Sequence, residues 1–189
     1  MATKRSDYIR GVACGHKELL AVLVGWLTSG ESTGGTWAIM QDYIDNTGSR
    51  KDGERNVILR SDIPGELPIY IGLRTFHGYP KQKQAGIQIN AYTNFSSDLP
   101  WDCQSGSLAD PANYNQESHF YEDCPAILVG EENVCYWIQA DAKKITCAVR
   151  TPTVPAVNSE YKTRKSVVYE MFYLGLMQRI VQKEGYPYP

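Results

Sequence analysis

The spacing of apolar residues along the chain predicts one helix near its start. Within residues 17–27 the apolar positions recur three and four residues apart, which is the period of one helix face. They are Leu19, Leu20, Leu23, Trp26 and Leu27. Ser29 and Gly30 follow, and a glycine after a periodic run is typical of a helix end. We predict a helix over 17–27 that stops near Gly30.

Further along, short runs rich in β-branched and aromatic residues, bounded by glycine, proline and asparagine, predict strands. These runs lie at 36–44, 56–60, 69–76, 85–92, 126–129, 133–140 and 144–150. The runs at 69–76 and 85–92 are expected to form an antiparallel hairpin with a long connection. Those at 133–140 and 144–150 alternate in step on either side of a short polar turn, which predicts a second, tight hairpin.

Alternation within two runs predicts which side chains face the core. The run at 69–76 is expected to be a half-buried strand. Its two faces carry Ile69, Ile71 and Leu73 on one side and Tyr70, Arg74 and Phe76 on the other. In the run at 85–92 the inward residues are predicted to be Ile87, Ile89 and Ala91.

The last long apolar segment, residues 167–181, is interpreted as a C-terminal helix. Gly175 in its middle costs a helix about 1 kcal/mol relative to alanine, which indicates close packing or a break there. A helix, a set of strands and a second helix predict the fold class α+β, with a mainly antiparallel β-sheet flanked by an N-terminal and a C-terminal helix and with long irregular loops. We expect residues 1–189 to form a single domain.

Two segments do not fit this regular pattern. Residues 93–121 are polar and aperiodic with scattered aromatic side chains. A stretch of that length is typical of a functional excursion or of a segment that a partner orders. Residues 184–189 end in alternating tyrosine and proline, which excludes regular structure and predicts an extended C-terminal arm.

Composition and charge narrow the classes of function. The chain has 189 residues, of which 42% are hydrophobic, and a formal net charge of -2. A near-neutral charge argues against a protein whose main partner is nucleic acid. The longest apolar stretch, residues 19–27, is about half the ~20 residues that a membrane span requires. We therefore expect no membrane partner, and a chain that acts in the cytoplasm or leaves it within a larger assembly.

The residues that usually hold metals or cofactors do not occur in the usual patterns. The five cysteines are Cys14, Cys103, Cys124, Cys135 and Cys147. No two of them form a CxxC pair, so we expect free thiols and no zinc site. The three histidines are scattered outside any HExxH motif, and the glycines at 30–35 lack the lysine that ends a phosphate-binding loop. We predict no metal and no cofactor.

One pair of residues has the chemistry of nucleophilic catalysis. Cys14 and His16 place a thiol and an imidazole two residues apart, with Asp42 or Glu18 as a group that would orient the histidine. A nucleophile and its base usually converge from separate elements, so we expect packing at the start of the helix and no catalytic residue. A small cysteine hydrolase that uses Cys14 and His16 is the alternative from another class.

Tyrosine is the most distinctive feature of the composition. The chain has 13 tyrosines, many of them in predicted loops and near the C-terminus. Tyrosine is favoured on surfaces that are both wet and contacted by a partner, although an aromatic layer that faces a sheet is an equal alternative. As a hypothetical subunit interface we select the aromatic residues of the 93–121 loop and of the arm. These are Phe95, Trp101, Tyr114, Tyr186 and Tyr188.

Several segments together resemble a group of virion proteins from tailed bacteriophages. They are residues 134–141, with their Tyr-Trp pair, then 144–149, then 169–176 with a Tyr-Leu-Gly step, and finally the Tyr-Pro segment 186–189. Residues 25–26 and 69–74 are similar in a looser way. The chain departs from the pattern by inserting residues 153–164 before the last apolar segment.

The order of elements is similar to that of tail-terminator and neck proteins. That likeness implies a ring, commonly a hexamer, that closes the tail tube and joins it to the head connector. It implies that the 93–121 loop and the 184–189 arm clasp neighbouring subunits. We therefore expect a non-enzymatic structural subunit of the virion, assembled in the host cytoplasm. Its partners would be its own copies and the tail tube, sheath or connector, with at most transient contact with phage DNA. A baseplate or tail-tip protein is the alternative of the same class.

Overall fold

The computed structural model of the protein describes residues 8–29, 37–45, 53–62, 67–77, 85–115, 120–151 and 168–175. These residues form one α-helix, eleven strands and a short 3-10 turn at Pro111–Asn113. In chain order the elements are β1 (Tyr8–Cys14), α1 (Gly15–Thr28), β2 (Trp37–Ile44), β3 (Arg55–Ser61), β4 (Ile69–His77), β5 (Ala85–Tyr92), β6 (Tyr114–Asn115), β7 (Phe120–Tyr121), β8 (Ala126–Leu128), β9 (Asn133–Ala140), β10 (Lys144–Thr151) and β11 (Val168–Gly175).

Nine of the strands form two antiparallel sheets. The first sheet has four strands in the order β1-β9-β10-β11, and the second has five in the order β2-β3-β4-β5-β8. The remaining two strands, β6 and β7, pair with each other. The predicted hairpins β4-β5 and β9-β10 are both present, with every pairing antiparallel.

Helix α1 and the inner faces of both sheets enclose one hydrophobic core. The helix packs against β1 and β9 of the first sheet and against β2, β4 and β5 of the second. Its leucines are fully buried, and burial of each stabilises the fold by roughly 1.5–3 kcal/mol. The predicted helix over 17–27 is thus confirmed, with its end at Thr28.

The start of α1 is tied to the turn between β8 and β9. Gly15 has a φ of +76°, and its N–H donates to the carbonyl of Glu132 at 2.9 Å. A Cβ at that position would lie 3.0 Å from the Glu131 backbone, so the approach requires glycine. The Cys14 N–H donates to the carboxylate of Glu18 at 2.5 Å, which supplies an acceptor at the helix N-terminus.

The predicted C-terminal helix is wrong, because residues Val168–Gly175 form strand β11 against β10. Phe172 and Leu174 face the core, while Met171 and Tyr173 are exposed, so the alternation has period two. A short apolar run does not by itself distinguish the period of a strand from that of a helix, and the aromatic residues here favour a strand. Pairing with β10 decided the outcome, and the remainder of the 167–181 segment lies outside the described residues.

The flanking position of the first helix is also wrong. Strand β1 precedes α1 and pairs with β9, which is distant in sequence, so α1 is the second element and packs between two sheets. The described residues contain a single α-helix, and the fold is mostly antiparallel β-sheet. Strand β1 escaped prediction because its partner is more than a hundred residues away and Gly11 interrupts its inward face.

Two predictions about burial need correction as well. Strand β4 was expected to be half-buried, but from Tyr70 to Phe76 it is buried on both faces. The described segments 93–115 and 120–125 cover its second face, and the sequence of β4 alone does not reveal this cover. Ala91, predicted to face inward, is exposed at the end of β5, whereas Ile87 and Ile89 lie in the core as predicted.

Gly86 provides a test of how closely β5 and β8 approach. A Cβ at this position would collide with the backbone carbonyl of Ile127 and lie 2.9 Å from the Phe76 ring. Gly86→Ala should therefore lower the free energy of unfolding by about 1–3 kcal/mol in urea denaturation. The control is Gly25→Ala in α1, where nothing lies within 4 Å, and it should raise the same quantity by up to about 1 kcal/mol. Equal urea midpoints for Gly86→Ala and wild type would contradict the packing described.

Candidate assembly surface

The outer face of the first sheet is built by alternation along its strands. In β9 the residues Val134, Tyr136, Ile138 and Ala140 are buried in the core. The opposite phase points away from the core and carries Trp137, which is exposed. The same alternation in β1 and β11 brings further large apolar side chains to this face.

Strand register places these side chains in rows across the sheet. One row runs Arg10, Trp137, Ala148, Met171, and the next runs Tyr8, Gln139, Thr146, Tyr173. The large apolar residues of the face are exposed, at 71% for Met171, 61% for Val12, 54% for Tyr8, 47% for Tyr173 and 41% for Trp137. Large exposed apolar groups that share one face are typical of a surface that meets a partner.

The charged residues of this face are basic. Arg10 and Arg150 are exposed, and no outward position of the four described strands is aspartate or glutamate. Tryptophan, tyrosine, methionine and arginine are the types enriched in protein interfaces. The face is therefore suited to a protein partner whose matching surface is apolar with acidic groups.

The aromatic residues predicted for an interface in the 93–121 loop lie elsewhere. We call residues 93–125 the cap, of which 93–115 and 120–125 are described. Trp101 is 1% exposed in a cluster on the outer face of the second sheet, and Phe95 and Tyr114 pack against that cluster half-buried. The cluster contains Ile58, Tyr70, Tyr92, Trp101, Ala109, Tyr121 and Cys124. Tyr186 and Tyr188 lie outside the described residues, so the interface hypothesis for these five aromatic residues stays a prediction.

Side-chain amides of β5 hold the cap in place. Gln88 pairs with both backbone groups of Tyr121, donating to its carbonyl at 2.8 Å and accepting from its N–H at 3.1 Å. Asn90 donates to the Ser107 hydroxyl at 2.8 Å and accepts from the Leu108 N–H at 2.8 Å. These amides satisfy buried backbone groups of a segment that has little regular structure.

A cleft of about 650 Å³ opens between the cap and strands β2 to β4. Tyr43, Asn56 and Arg74 line it from three adjacent strands at paired positions. Arg74 is 1% exposed, and its guanidinium carbon lies 5.8 Å from the ring centre of Tyr114 and 5.6 Å from that of Tyr121. Contacts of this kind between a guanidinium and ring faces are attractive, so Arg74 fastens the cap to the sheet.

The carboxylate of Asp102 completes the inner wall of the cleft. The Tyr121 hydroxyl donates to Asp102 Oδ2 at 2.5 Å. Burial raises the pKa of Tyr121, and the hydrogen bond to Asp102 raises it further. The phenol therefore stays protonated at neutral pH and serves as a hydrogen-bond donor within the fold.

The structure does not join Cys14 and His16 by a hydrogen bond. Cys14 is exposed at the end of β1, whereas the His16 ring is 3% exposed beneath the helix start. His16 Nδ1 lies 3.1 Å from the Gly130 carbonyl, which only accepts, so Nδ1 carries the hydrogen. Burial lowers the pKa of His16, opposed by this hydrogen bond and by Glu54. The imidazole serves as a link between α1 and the β8-β9 turn.

Two further cysteines, Cys124 and Cys147, are buried. Burial raises the pKa of Cys147 to about 12, and burial with the nearby Asp123 raises that of Cys124 to about 12. Both thiols are therefore protonated at neutral pH and poor nucleophiles. Among the described residues, no three His, Cys, Asp or Glu side chains are grouped so as to hold a metal ion. No described helix has the length and apolar character to cross a membrane.

Comparison with protein-family models and with curated proteins finds no match to this chain.

The exposed tryptophan is the candidate surface residue that sequence reasoning missed. Of the four tryptophans, Trp26, Trp37 and Trp101 are buried and Trp137 is exposed. The signal was present, because Trp137 is out of phase with Val134, Tyr136 and the other inward residues of its strand. A large aromatic residue at the solvent-facing position of an amphipathic strand is a stronger indicator of an interface than an aromatic residue in a loop.

The buried imidazole predicts a pH dependence of stability. Because the folded-state pKa of His16 lies below 6.5, the unfolded chain binds a proton more readily as the pH falls through about 6.5. At pH values under about 6.5, the free energy of unfolding should decrease by at most about 1.4 kcal/mol for each unit that the pH falls. The decrease should end once the pH is lower than the folded-state pKa of His16. Urea titrations between pH 7.5 and 4.5 measure it.

Two variants separate the contribution of His16 from that of its neighbour His77, whose ring centre lies 6.4 Å away. His16→Asn keeps a donor for the Gly130 carbonyl and should remove this part of the slope. His77→Asn, at a half-exposed ring paired with Glu131, should keep it. An unchanged slope in His16→Asn would refute the assignment.

The hydrogen bonds from the side-chain amides of β5 to the cap lead to a further prediction. Gln88→Ala removes the acceptor for the Tyr121 N–H and one of the donors to the Tyr121 carbonyl, which also accepts from the Cys124 N–H at 3.2 Å. This loss should cost about 1–3 kcal/mol of stability. Limited proteolysis should then cut within residues 93–125 well before the rest of the chain. Gln139→Ala, an exposed glutamine on β9, is the control and should leave both measurements unchanged. Cleavage of Gln88→Ala at the wild-type rate would show that the cap does not depend on the hydrogen bonds between Gln88 and Tyr121.

Proposed function

We propose that this chain is a non-enzymatic structural subunit of a tailed-bacteriophage particle. Within the particle we assign it to a neck or tail-terminator ring, commonly a hexamer, that joins the tail tube to the head connector. Its partners are its own copies and a tail tube, sheath or connector protein, and any contact with the passing DNA is transient. It assembles in the host cytoplasm and stays in the virion.

The observation that carries this proposal is the outer face of the first sheet. Trp137, Met171 and Tyr173 lie there without cover from any described residue, beside Arg10. Exposed apolar area of this kind is unfavourable in water, and the free energy of the system falls when a partner covers it. A subunit of a permanent assembly has that partner throughout its working life.

Three of the segments that resemble virion proteins lie on the same sheet as this outer face. They are residues 134–141, 144–149 and 169–176, and these correspond to β9, β10 and β11. The Tyr-Trp and Tyr-Leu-Gly steps that carry the likeness contribute Trp137 and Tyr173 to the outer face. The likeness therefore concentrates on the sheet with the exposed face, whereas the cap belongs to the other sheet.

The first test is the mass of the purified chain in solution. Light scattering across a concentration series should give an oligomer for the wild type.

The second test addresses the particle itself. Phage particles purified from the infected host should contain the chain in a fixed ratio to the other structural proteins. Trp137→Lys should lower its incorporation, because a lysine at the centre of the outer face opposes burial of that face against a partner. Leu67→Lys is the matched control, since Leu67 is 86% exposed outside the first sheet, and it should be incorporated as the wild type is. A wild-type chain that is monomeric at every concentration and absent from purified particles would refute the proposed function.

A further inference from the structure

The first sheet ends in two different open edges. Its order places β1 at one side and β11 at the other, and no described strand pairs beyond either of them. The second sheet ends in β2 and β8. A strand at an edge presents a row of backbone N–H and C=O groups that another chain is able to pair with.

The edges of the two sheets differ in how they are protected. In the second sheet β8 has only three residues and β2 carries a register shift between Ile39 and Gln41, and short or irregular edges resist further pairing. In the first sheet β1 and β11 have seven and eight residues, contain no proline and pair in unbroken register with their neighbours. Arg10 and Glu170 are their only charged residues.

Strand direction makes the two open edges complementary. Each of the four strands is antiparallel to its neighbour, so β1 and β11 run in opposite directions. Placing β11 of one copy beside β1 of the next therefore continues the antiparallel ladder. The apolar outer face also continues across the junction, because a sheet extended in its own plane keeps its faces.

We propose that copies of this chain join head to tail, with the β1 edge of one copy paired to the β11 edge of the next. The contact uses two different surfaces of each copy, so it leaves one edge of each type open at the ends until a ring closes. The proposal rests on the proposed function and adds the surface through which the subunits of the ring meet. When the rows continue straight across the junction, Tyr8 of one copy lies opposite Tyr173 of the other, and Val12 lies diagonal to Met171. Aromatic and long aliphatic side chains at these positions are favourable cross-strand partners.

Two variants block one edge each. The β1 variant combines Tyr8→Lys with Val12→Lys, and the β11 variant combines Met171→Lys with Tyr173→Lys; all four side chains are exposed in the single chain. Because every junction requires one β1 edge and one β11 edge, each variant alone should be monomeric in light scattering. An equimolar mixture should give dimers of one copy of each variant and nothing larger, since only one open edge of each type is left.

A charge exchange tests the same junction in the positive sense. The β1 lysines combined in one chain with Met171→Glu and Tyr173→Glu should restore an oligomer of wild-type mass, because opposite charges then face each other across strands. Leu67→Lys is the control for an added charge outside the junction. Hydrogen exchange on the wild type provides a readout that needs no variant, and backbone amides of β1 and β11 should be protected at least tenfold more in the oligomer than after dilution to monomer.

Several outcomes would overturn the head-to-tail junction. One is a β1 variant that still forms dimers on its own, as pairing of β11 with β11 would give. Another is a mixture of the two variants that forms no mixed dimer. A third is equal hydrogen exchange of both edges in the oligomer and in the monomer. A strictly monomeric wild type would also overturn it. The proposed function fails separately, because it is decided by the presence of the chain in purified particles, which a ring built through another surface would still satisfy.

Discussion

One helix placed between two sheets is the constraint on which the rest of the structure depends. Each sheet has two faces, and α1 with its single hydrophobic core covers only the inner one of each. Every strand that is apolar on both faces therefore needs a second cover. The second sheet obtains it from the cap, which buries Ile58, Tyr70 and Tyr92. The described part of the chain supplies no equivalent for the first sheet, so its outer face keeps Trp137 and Met171 in solvent.

The cap shows how an irregular segment becomes part of a fold. The cap has few ladder hydrogen bonds of its own, so its buried backbone groups need other partners. Amide side chains of β5 supply these partners in place of a further strand. Gln88 and Asn90 are fully buried and bond backbone groups of the cap, while Arg74 lies against the rings of Tyr114 and Tyr121. Polar residues inside a strand thus determine the position of an excursion that has almost no periodicity.

Local patterns predicted the helix, both hairpins and most strand positions, because apolar periodicity is visible within ten residues. The failures all concern long-range partners. The segment 168–175 became a strand because β10 had an open edge beside it, and β1 formed because β9 lay within reach. Burial of β4 on both faces required the cap, whose contribution is encoded in single residues such as Gln88. An aromatic interface was predicted in the 93–121 loop and the C-terminal arm, and that stays a prediction. The exposed Trp137 lies instead in a strand, where only the alternation of β9 indicates that it faces outward.

Trp101 and Trp137 show why residue type alone does not locate an interface. Both are tryptophans beside tyrosines, and Trp101 is buried because the cap places it against the second sheet, with Tyr92 donating to its carbonyl at 2.8 Å. Trp137 has the same chemistry on the uncovered face of the first sheet. Whether a tryptophan is buried or exposed here thus depends on whether the cap covers the outer face of its sheet. A face that the described chain leaves open, bounded by two long unprotected edges, is the place where the hydrophobic free energy not used in folding is available for assembly.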